Sequence, residues 1–298
     1  KRQLFNKDKT RLIQYPIGNS RLSYAIPENV EIIGSGAFSG CSTLESISIS
    51  ASVTDFEEAF YECSNIVDVY YEGDITGWCS IVFESWPCNP MSYAENLYIN
   101  GKMFEGQLLI PDGLNSIGDY SFYNCSGITS VIIPDGVTEI GNCAFLDCSS
   151  ITSVTIPNTV TSIGEHAFER CDSLTSITIP DSVTSIDDDV FRSCDNLTSI
   201  TIGSGITQIG NNMFGWCRSL ESIVIPENVA KIGYGAFEGC YKLTKVTIPG
   251  GLTDIVNYAF NYCDELTDVY FTGTEEQWSL INIGYKNEPI LDAKKHFN

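Results

Sequence analysis

The sequence predicts an α/β solenoid of 23-residue repeats, with a parallel sheet on one face, short helical turns on the other, and small β-hairpin elements as cap and insert. Three observations carry this. Cysteine recurs every 23 residues at Cys125, Cys148, Cys171, Cys194, Cys217, Cys240 and Cys263. A phenylalanine stands three residues before each, and the same frame at Phe38 with Cys41 and at Phe60 with Cys63 brings the copies to nine. Each copy also holds a short alternating apolar and polar stretch, usually ended by proline. A unit this short cannot bury its own apolar side, so it stacks on its neighbours and every core position becomes a column.

Residues 1–25 are expected to form an N-terminal β-hairpin cap, because residues 4–15 alternate on either side of a polar stretch at 7–10. Repeats 1–2 follow over 26–69. Residues 70–110 carry different text, a Trp-containing inserted module in which Asn100-Gly101 sits between alternating residues and reads as a hairpin with a primed turn. Repeats 3–9 occupy 111–271. Residues 272–298 repeat the module in part, as a C-terminal cap: Tyr70, Gly73, Trp78 and Ile81 match Tyr270, Gly273, Trp278 and Ile281, and Ala94 and Tyr98 match Ala293 and Phe297. The module's tryptophan is expected to pack on the open end of a sheet.

Residues 174–194 show the unit. Leu174, Ile177 and Ile179 point one way and Ser176 and Thr178 the other, a half-buried strand ended by Pro180, which cannot donate to a ladder. Val183 and Ile186 mark a second extended piece, and the run to Phe191 and Cys194 has the i, i+3 spacing of a helical turn. Glycine follows the second apolar position at Gly34, Gly118, Gly141, Gly164, Gly210 and Gly233, where a tight turn is expected, while Asp187 and Val256 depart from this. At about 4.8 Å per strand the body should be on the order of 50 Å long.

The cysteine column reads as core. Parallel side chains on stacked strands keep their Cβ atoms farther apart than the ~3.8 Å of a disulfide, and a single file offers no zinc cluster. Cys79, Cys88 and Cys143 lie outside the column, and a Cys79–Cys88 bridge could close if the insert folds back on itself.

A net charge of -22, from 38 acidic and 16 basic residues, repels phosphate backbones and anionic lipid, so nucleic acid is excluded as a partner. No apolar run approaches the ~20 residues needed to cross a bilayer, so no membrane insertion is expected. Any signal peptide or anchor is expected outside this stretch.

The pattern Ile-Pro-x-x-Val-Thr-x-Ile-Gly-x-x-Ala-Phe-x-x-Cys-x-x-Leu-Thr-x-Val-x-Ile-Pro, met nearly throughout by residues 133–156, resembles the BspA-like leucine-rich repeat family. The resemblance runs from Ile26 to about Phe271, and the Trp78 and Trp278 modules are similar to an insert of bacterial members. Gly203 and Ser50 stand where proline is usual. The resemblance implies a leucine-rich repeat solenoid, secreted or displayed on a bacterial cell surface, and an adhesive role toward host matrix proteins known for certain members.

No reaction is legible. Of the two histidines, His166 fills a variable position where other units carry Tyr120, Gly235 or Tyr258, and reads as an exposed side chain; His296 lies near the end. No phosphate loop, His-Glu-x-x-His or dinucleotide fingerprint is present. Asp187-Asp188-Asp189 lacks the ligand spacing of a Ca²⁺ loop and reads as a solvated helical turn. No catalytic residue, cofactor or metal is assigned. The expected activity is protein–protein interaction or adhesion through the polar sheet face, lined by Ser153, Thr155, Ser176, Thr178, Ser199, Thr201, Ser222, Val224, Lys245 and Thr247. The alternatives are glycan binding through Trp216, Tyr234, Tyr241, Tyr258 and Tyr262, and an inert spacer for another domain.

Overall fold

The computed structural model describes residues 3–298. Lys1 and Arg2, the first residues of the expected N-terminal hairpin segment, lie outside the described residues. Each coil lays one strand of three to five residues and one of two residues beside those of the coil before it. Pairing is parallel and in register. On the longer strands Ser130 opposes Ser153, Ile177 opposes Ile200 and Val246 opposes Val269. On the shorter ones Ile117, Ile140, Ile163 and Ile186 form one row and Ile209, Ile232 and Ile255 another.

The third side of the coil differs from the helical turn that its spacing suggests. Two successive turns replace a helix, because residues in the left-handed region flank each column phenylalanine from Phe122 to Phe260: His166 at φ 57° and Arg170 at φ 57° around Phe168, Asp189 at 58° and Ser193 at 57° around Phe191. Helical i+4 bonding cannot pass such residues. The freed amides reach the next coil instead: Phe122, Phe145 and Phe168 donate N–H to the carbonyls of Ala144, Ala167 and Val190 at 2.8–2.9 Å. Backbone hydrogen bonds between coils thus run along three sides.

Inside lies the phenylalanine column. From Phe122 through Phe260 successive rings are 5.2–5.8 Å apart with planes within 18° of parallel. The cysteines sit beside it with a task that composition does not disclose. Cys148 Sγ donates to the Phe122 carbonyl at 2.9 Å, and Cys194, Cys217, Cys240 and Cys263 donate to Phe168, Phe191, Phe214 and Phe237 at 3.2 Å. Each thiol thereby satisfies a buried carbonyl of the preceding coil, which a plain hydrophobe could not. Burial pushes the column thiols far up, Cys217 to about 12.

The recurrent glycines are needed for proximity and not for turning. Gly141, Gly164 and Gly233 have no left-handed φ, but a Cβ on each would stand 2.7 Å from backbone of the coil before. A neighbouring ladder explains part of the triple aspartate: Asp119 accepts from Asn142 N–H, Asn142 from Glu165 N–H, Asp188 from Asn211 N–H and Asn211 from Tyr234 N–H, at 2.7–2.9 Å.

Residues 70–110 extend the first block of coils and then break its sheets from those of the second. They enlarge one coil: Asp68 pairs with Asn96, 28 positions on, and Phe56 with Phe83, so both ladders of the first block run into it and end there, and new sheets begin beyond it. The hairpin then folds Lys102–Met103 back on Asn96–Ile99 through Asn100 and Gly101, at φ 48° and 74°, which ends the first series of longer strands. Trp78 is not on an open end. It is fully buried, and its Nε1 donates to the Ser121 carbonyl of the next coil at 2.7 Å. Asn89 donates to the Tyr120 carbonyl, and Asn124 reaches back to Met91 and Ala94. Side chains therefore tie the two blocks where regular coils use backbone.

The second copy differs in register from the sequence match. Tyr98 faces Tyr70, and the residue facing Tyr270 is His296, with Phe297 in the place of Ile99. One residue fewer between the buried alanine and the strand, Ala293 against Ala94, accounts for the slip. Trp278 is half-buried, edge-on to Phe271 with Lys295 over its ring. At the other end Leu4–Phe5 pairs antiparallel with Arg11–Gln14, which lies parallel to Ile32–Ile33. Cys79 and Cys88 are separate buried thiols, Cys88 sharing a hydrogen bond with Ser85.

Three measurements check this core. Phe168→Ala removes a ring stacked on both sides and should lower unfolding stability by about 3–5 kcal/mol in urea titrations. Trp78→Phe leaves the Ser121 carbonyl without its donor and should cost about 1–3 kcal/mol. In the native state a thiol reagent at pH 8 should label the column cysteines only as fast as the protein opens; rapid labelling without urea would contradict the buried ladder.

Candidate functional site

Because each coil repeats the last, an outward position also becomes a column, and the surface divides into three candidate regions. The first is the sheet face. Ser153, Thr155, Ser176, Thr178, Ser199, Thr201 and Lys245 are exposed as expected, Ser222 and Thr247 are half-exposed, and Val224 is 62% exposed. A depression of about 250 Å³ lies between Ser153–Ile156 and Ser176–Thr178, where the strands at 153–155 and 176–179 belong to separate sheets. Leu109 and Ile132 extend the threonine column as exposed aliphatic residues. Aromatic stacks close both ends: Tyr70 on Tyr98 at 4.4 Å and Tyr270 on His296 at 4.6 Å. His296 Nε2 is 2.7 Å from Asp268 Oδ1, a hydrogen bond that holds the Asp268 carboxyl below its ordinary range. Reading along the chain missed these brackets, because they appear only when residues are compared across coils.

The second region is on the turn face. The left-handed position two residues before Phe122, Phe145, Phe168 and Phe191 brings Tyr120, Cys143, His166 and Asp189 into one column, with Tyr123, Leu146, Glu169 and Arg192 beside it. Trp86 from the enlarged coil approaches from one end, and a cavity of about 420 Å³ is lined by Trp86, Tyr120, Tyr123, Cys143, Leu146, His166 and Glu169. His166 is therefore not the plain exposed side chain that its variable position suggested. Its Nδ1 is 2.5 Å from Glu169 Oε2 and its Nε2 is 3.4 Å from Glu165 Oε1. The Glu169 hydrogen bond, partly opposed by burial, raises its pKa above the ordinary value. Asp189 is likewise not a solvated residue; it is buried, ion-paired with Arg192 at 3.5 Å.

Cys143 and His166 line the same cavity without forming a nucleophilic pair. Burial, with Glu165, Glu169 and Asp119 nearby, lifts the Cys143 thiol to about 11 although the Tyr120 hydroxyl partly offsets this. A thiol that stays protonated is a poor nucleophile, and both imidazole nitrogens already face carboxylates.

The third region holds the five aromatic residues, which the structure separates into two groups. Trp216 meets Tyr241 at 6.2 Å and Tyr262 at 6.4 Å, with Arg218 at 6.0 Å from its ring. Trp216 needs the bare backbone of Gly239, where a Cβ would stand 2.6 Å from its ring. Tyr234 meets Tyr258 at 5.3 Å, and Tyr258 meets Tyr285 at 4.9 Å. Tyr285 and Arg218 were not legible as members of these groups. A cleft of about 590 Å³ also runs between residues 79–84 and 113–119, at the junction of the enlarged coil with the next.

Three kinds of comparison bear on identity. The family described as BspA type leucine rich repeat region matches in six copies over residues 19–110, 106–220 and 184–282. No curated protein matches the sequence significantly. Among solved structures, a leucine-rich repeat protein from Eubacterium ventriosum is similar at 18% identity and a TM-score of 0.56, over 93% of this chain and 87% of that one. A leucine rich cell surface protein from Faecalibacterium prausnitzii is similar at 25% identity and a TM-score of 0.49, over 94% and 95% of the two chains. The first of these shares the fold. With its repeat matched from residue 19 to residue 282, in the same frame as the stacked coils, this chain belongs to the BspA type leucine-rich repeat family.

Proposed function

We propose that this leucine-rich repeat protein is a non-enzymatic interaction module, secreted or displayed at the cell surface, that binds a protein partner across its sheet face. A host extracellular-matrix protein is the partner class to which the family resemblance points. The observation that carries this reading is the sheet face itself. It is an exposed array of hydroxyls with Leu109, Ile132 and Val224 among them, bracketed by the Tyr70–Tyr98 and Tyr270–His296 stacks. Rigid parallel strands present these groups at fixed spacing, so a partner meets a surface that loses little entropy on binding. Exposed aliphatic and aromatic residues supply contact area, and the hydroxyls satisfy a partner's polar groups.

A second reading is supported by the Trp216, Tyr241 and Tyr262 group with Arg218, whose exposed Tyr241 and Tyr262 rings suit stacking against a sugar.

Immobilised matrix proteins and a glycan array, probed with the same purified chain at two salt concentrations, separate the readings. Saturable protein binding that weakens about tenfold or more in a Thr178→Lys, Thr201→Lys double variant, with an unchanged circular dichroism spectrum, is the expected result. Glycan binding abolished by Trp216→Ala would move the site to the aromatic group. Silence in both arms would leave the spacer.

A further inference from the structure

Around residue 166 the chain departs from its own repeat at several adjacent positions. The ladder position at which Asp119, Asn142, Asp188 and Asn211 cap the following coil is filled by Glu165, whose carboxylate turns to His166 instead. The left-handed column carries an imidazole and then an aspartate, His166 followed one coil later by Asp189. The position three residues on carries Glu169 and then Arg192. Columns join these departures, so residues far apart in the chain meet at one place: Glu165, His166 and Asp189 each present a ligand atom within 4.8 Å of the others.

Two further features distinguish this place from an ordinary surface charge group. Asp189 is only 8% exposed, and its Oδ1 is sealed from solvent without a hydrogen-bond donor, Arg192 Nη1 standing 3.5 Å away. Glu169 Oε2 lies 2.5 Å from His166 Nδ1. A carboxylate on one imidazole nitrogen fixes the tautomer that leaves the other nitrogen's lone pair free, the outer-shell arrangement of metal-bound histidines. Here that other nitrogen, Nε2, is the one facing Glu165.

We propose that Glu165, His166 and Asp189 bind a divalent transition-metal ion, with Zn²⁺ the representative, and that Glu169 orients the imidazole from outside. The donor set of one imidazole and two carboxylates suits zinc or manganese better than calcium, which takes an all-oxygen shell of higher number. Charge agrees. Three carboxylates against the single Arg192 guanidinium leave an excess of two negative charges when the imidazole is neutral, and one divalent ion cancels it. Glu165 is the exposed member and Asp189 the buried one, so the ion enters from solvent past Glu165. The neighbouring Cys143 thiol is not among the three groups that converge and stands outside the ligand set.

Titration of the chelator-treated full chain with ZnCl₂, followed by calorimetry and by competition with a chromogenic chelator, tests this. One equivalent should bind, and saturation should raise the melting temperature. The variants are His166→Asn, which places the residue found at Asn212 in the same left-handed column, and Asp189→Asn, which keeps the side-chain shape. Each should weaken binding at least tenfold with an unchanged circular dichroism spectrum, and Glu169→Gln should weaken it about 10–100-fold. Cys143→Ser should bind as the parent chain does. Absence of binding overturns the assignment. So does binding retained in the His166→Asn, Asp189→Asn double variant or lost in Cys143→Ser. Because sheet-face binding is read in a separate assay, failure here leaves the proposed protein-binding surface to stand or fall alone.

Discussion

Parallel pairing in register governs this molecule. Backbones of successive coils must approach within ordinary strand spacing on every side of the circuit. That condition explains the residues at each repeated position better than any property of the single coil. Isoleucine falls on isoleucine because a fixed step makes columns of identical contacts. Glycine recurs where a Cβ would strike the preceding backbone. Left-handed residues flank the column phenylalanines from Phe122 onward so that their amides can turn to the next coil. Cysteine recurs because a small group that donates to the phenylalanine carbonyl behind it is needed at that depth.

The enlarged coil shows how much variation this condition tolerates. Its extra residues still pair with the coil before on both ladders, but both ladders end there, and side chains make the link to the next block. Trp78, Asn89 and Asn124 supply the hydrogen bonds to the next block that regular coils make with backbone amides. The second copy of the same text ends differently. It carries a half-buried Trp278, and Asn287 turns back to the Val256 and Gly284 carbonyls.

Chemistry at the surface follows from the same geometry. A solenoid brings together residues one repeat apart, so a cluster can be assembled from positions that look unrelated in the chain. The His166 group is one case and the Tyr270–His296 stack another. Both occur where a column departs from its prevailing residue, and both place a titratable ring against a carboxylate, Glu169 of the same coil for His166 and Asp268 of the preceding coil for His296. Regular columns of serine and threonine, by contrast, make a uniform surface whose recognition depends on area and shape.

The sequence by itself determined the repeat, its strands and its buried columns, because a period in apolar residues has only one way to bury them all. It also determined the Asn100-Gly101 hairpin, since few residues accept that pair of backbone angles. Tertiary structure alone decided the rest. The turn side is not helical because amides between coils compete with amides within one, and that competition cannot be read from i, i+3 spacing. Trp78 is interior because a coil 43 residues away closes over it. Tyr98 corresponds to His296 and not to Phe297 because register is set by pairing with the neighbouring strand. Asp189 left the solvent, and His166 did so in part, because the two stand in successive coils of one column, a contact with no signature along the chain.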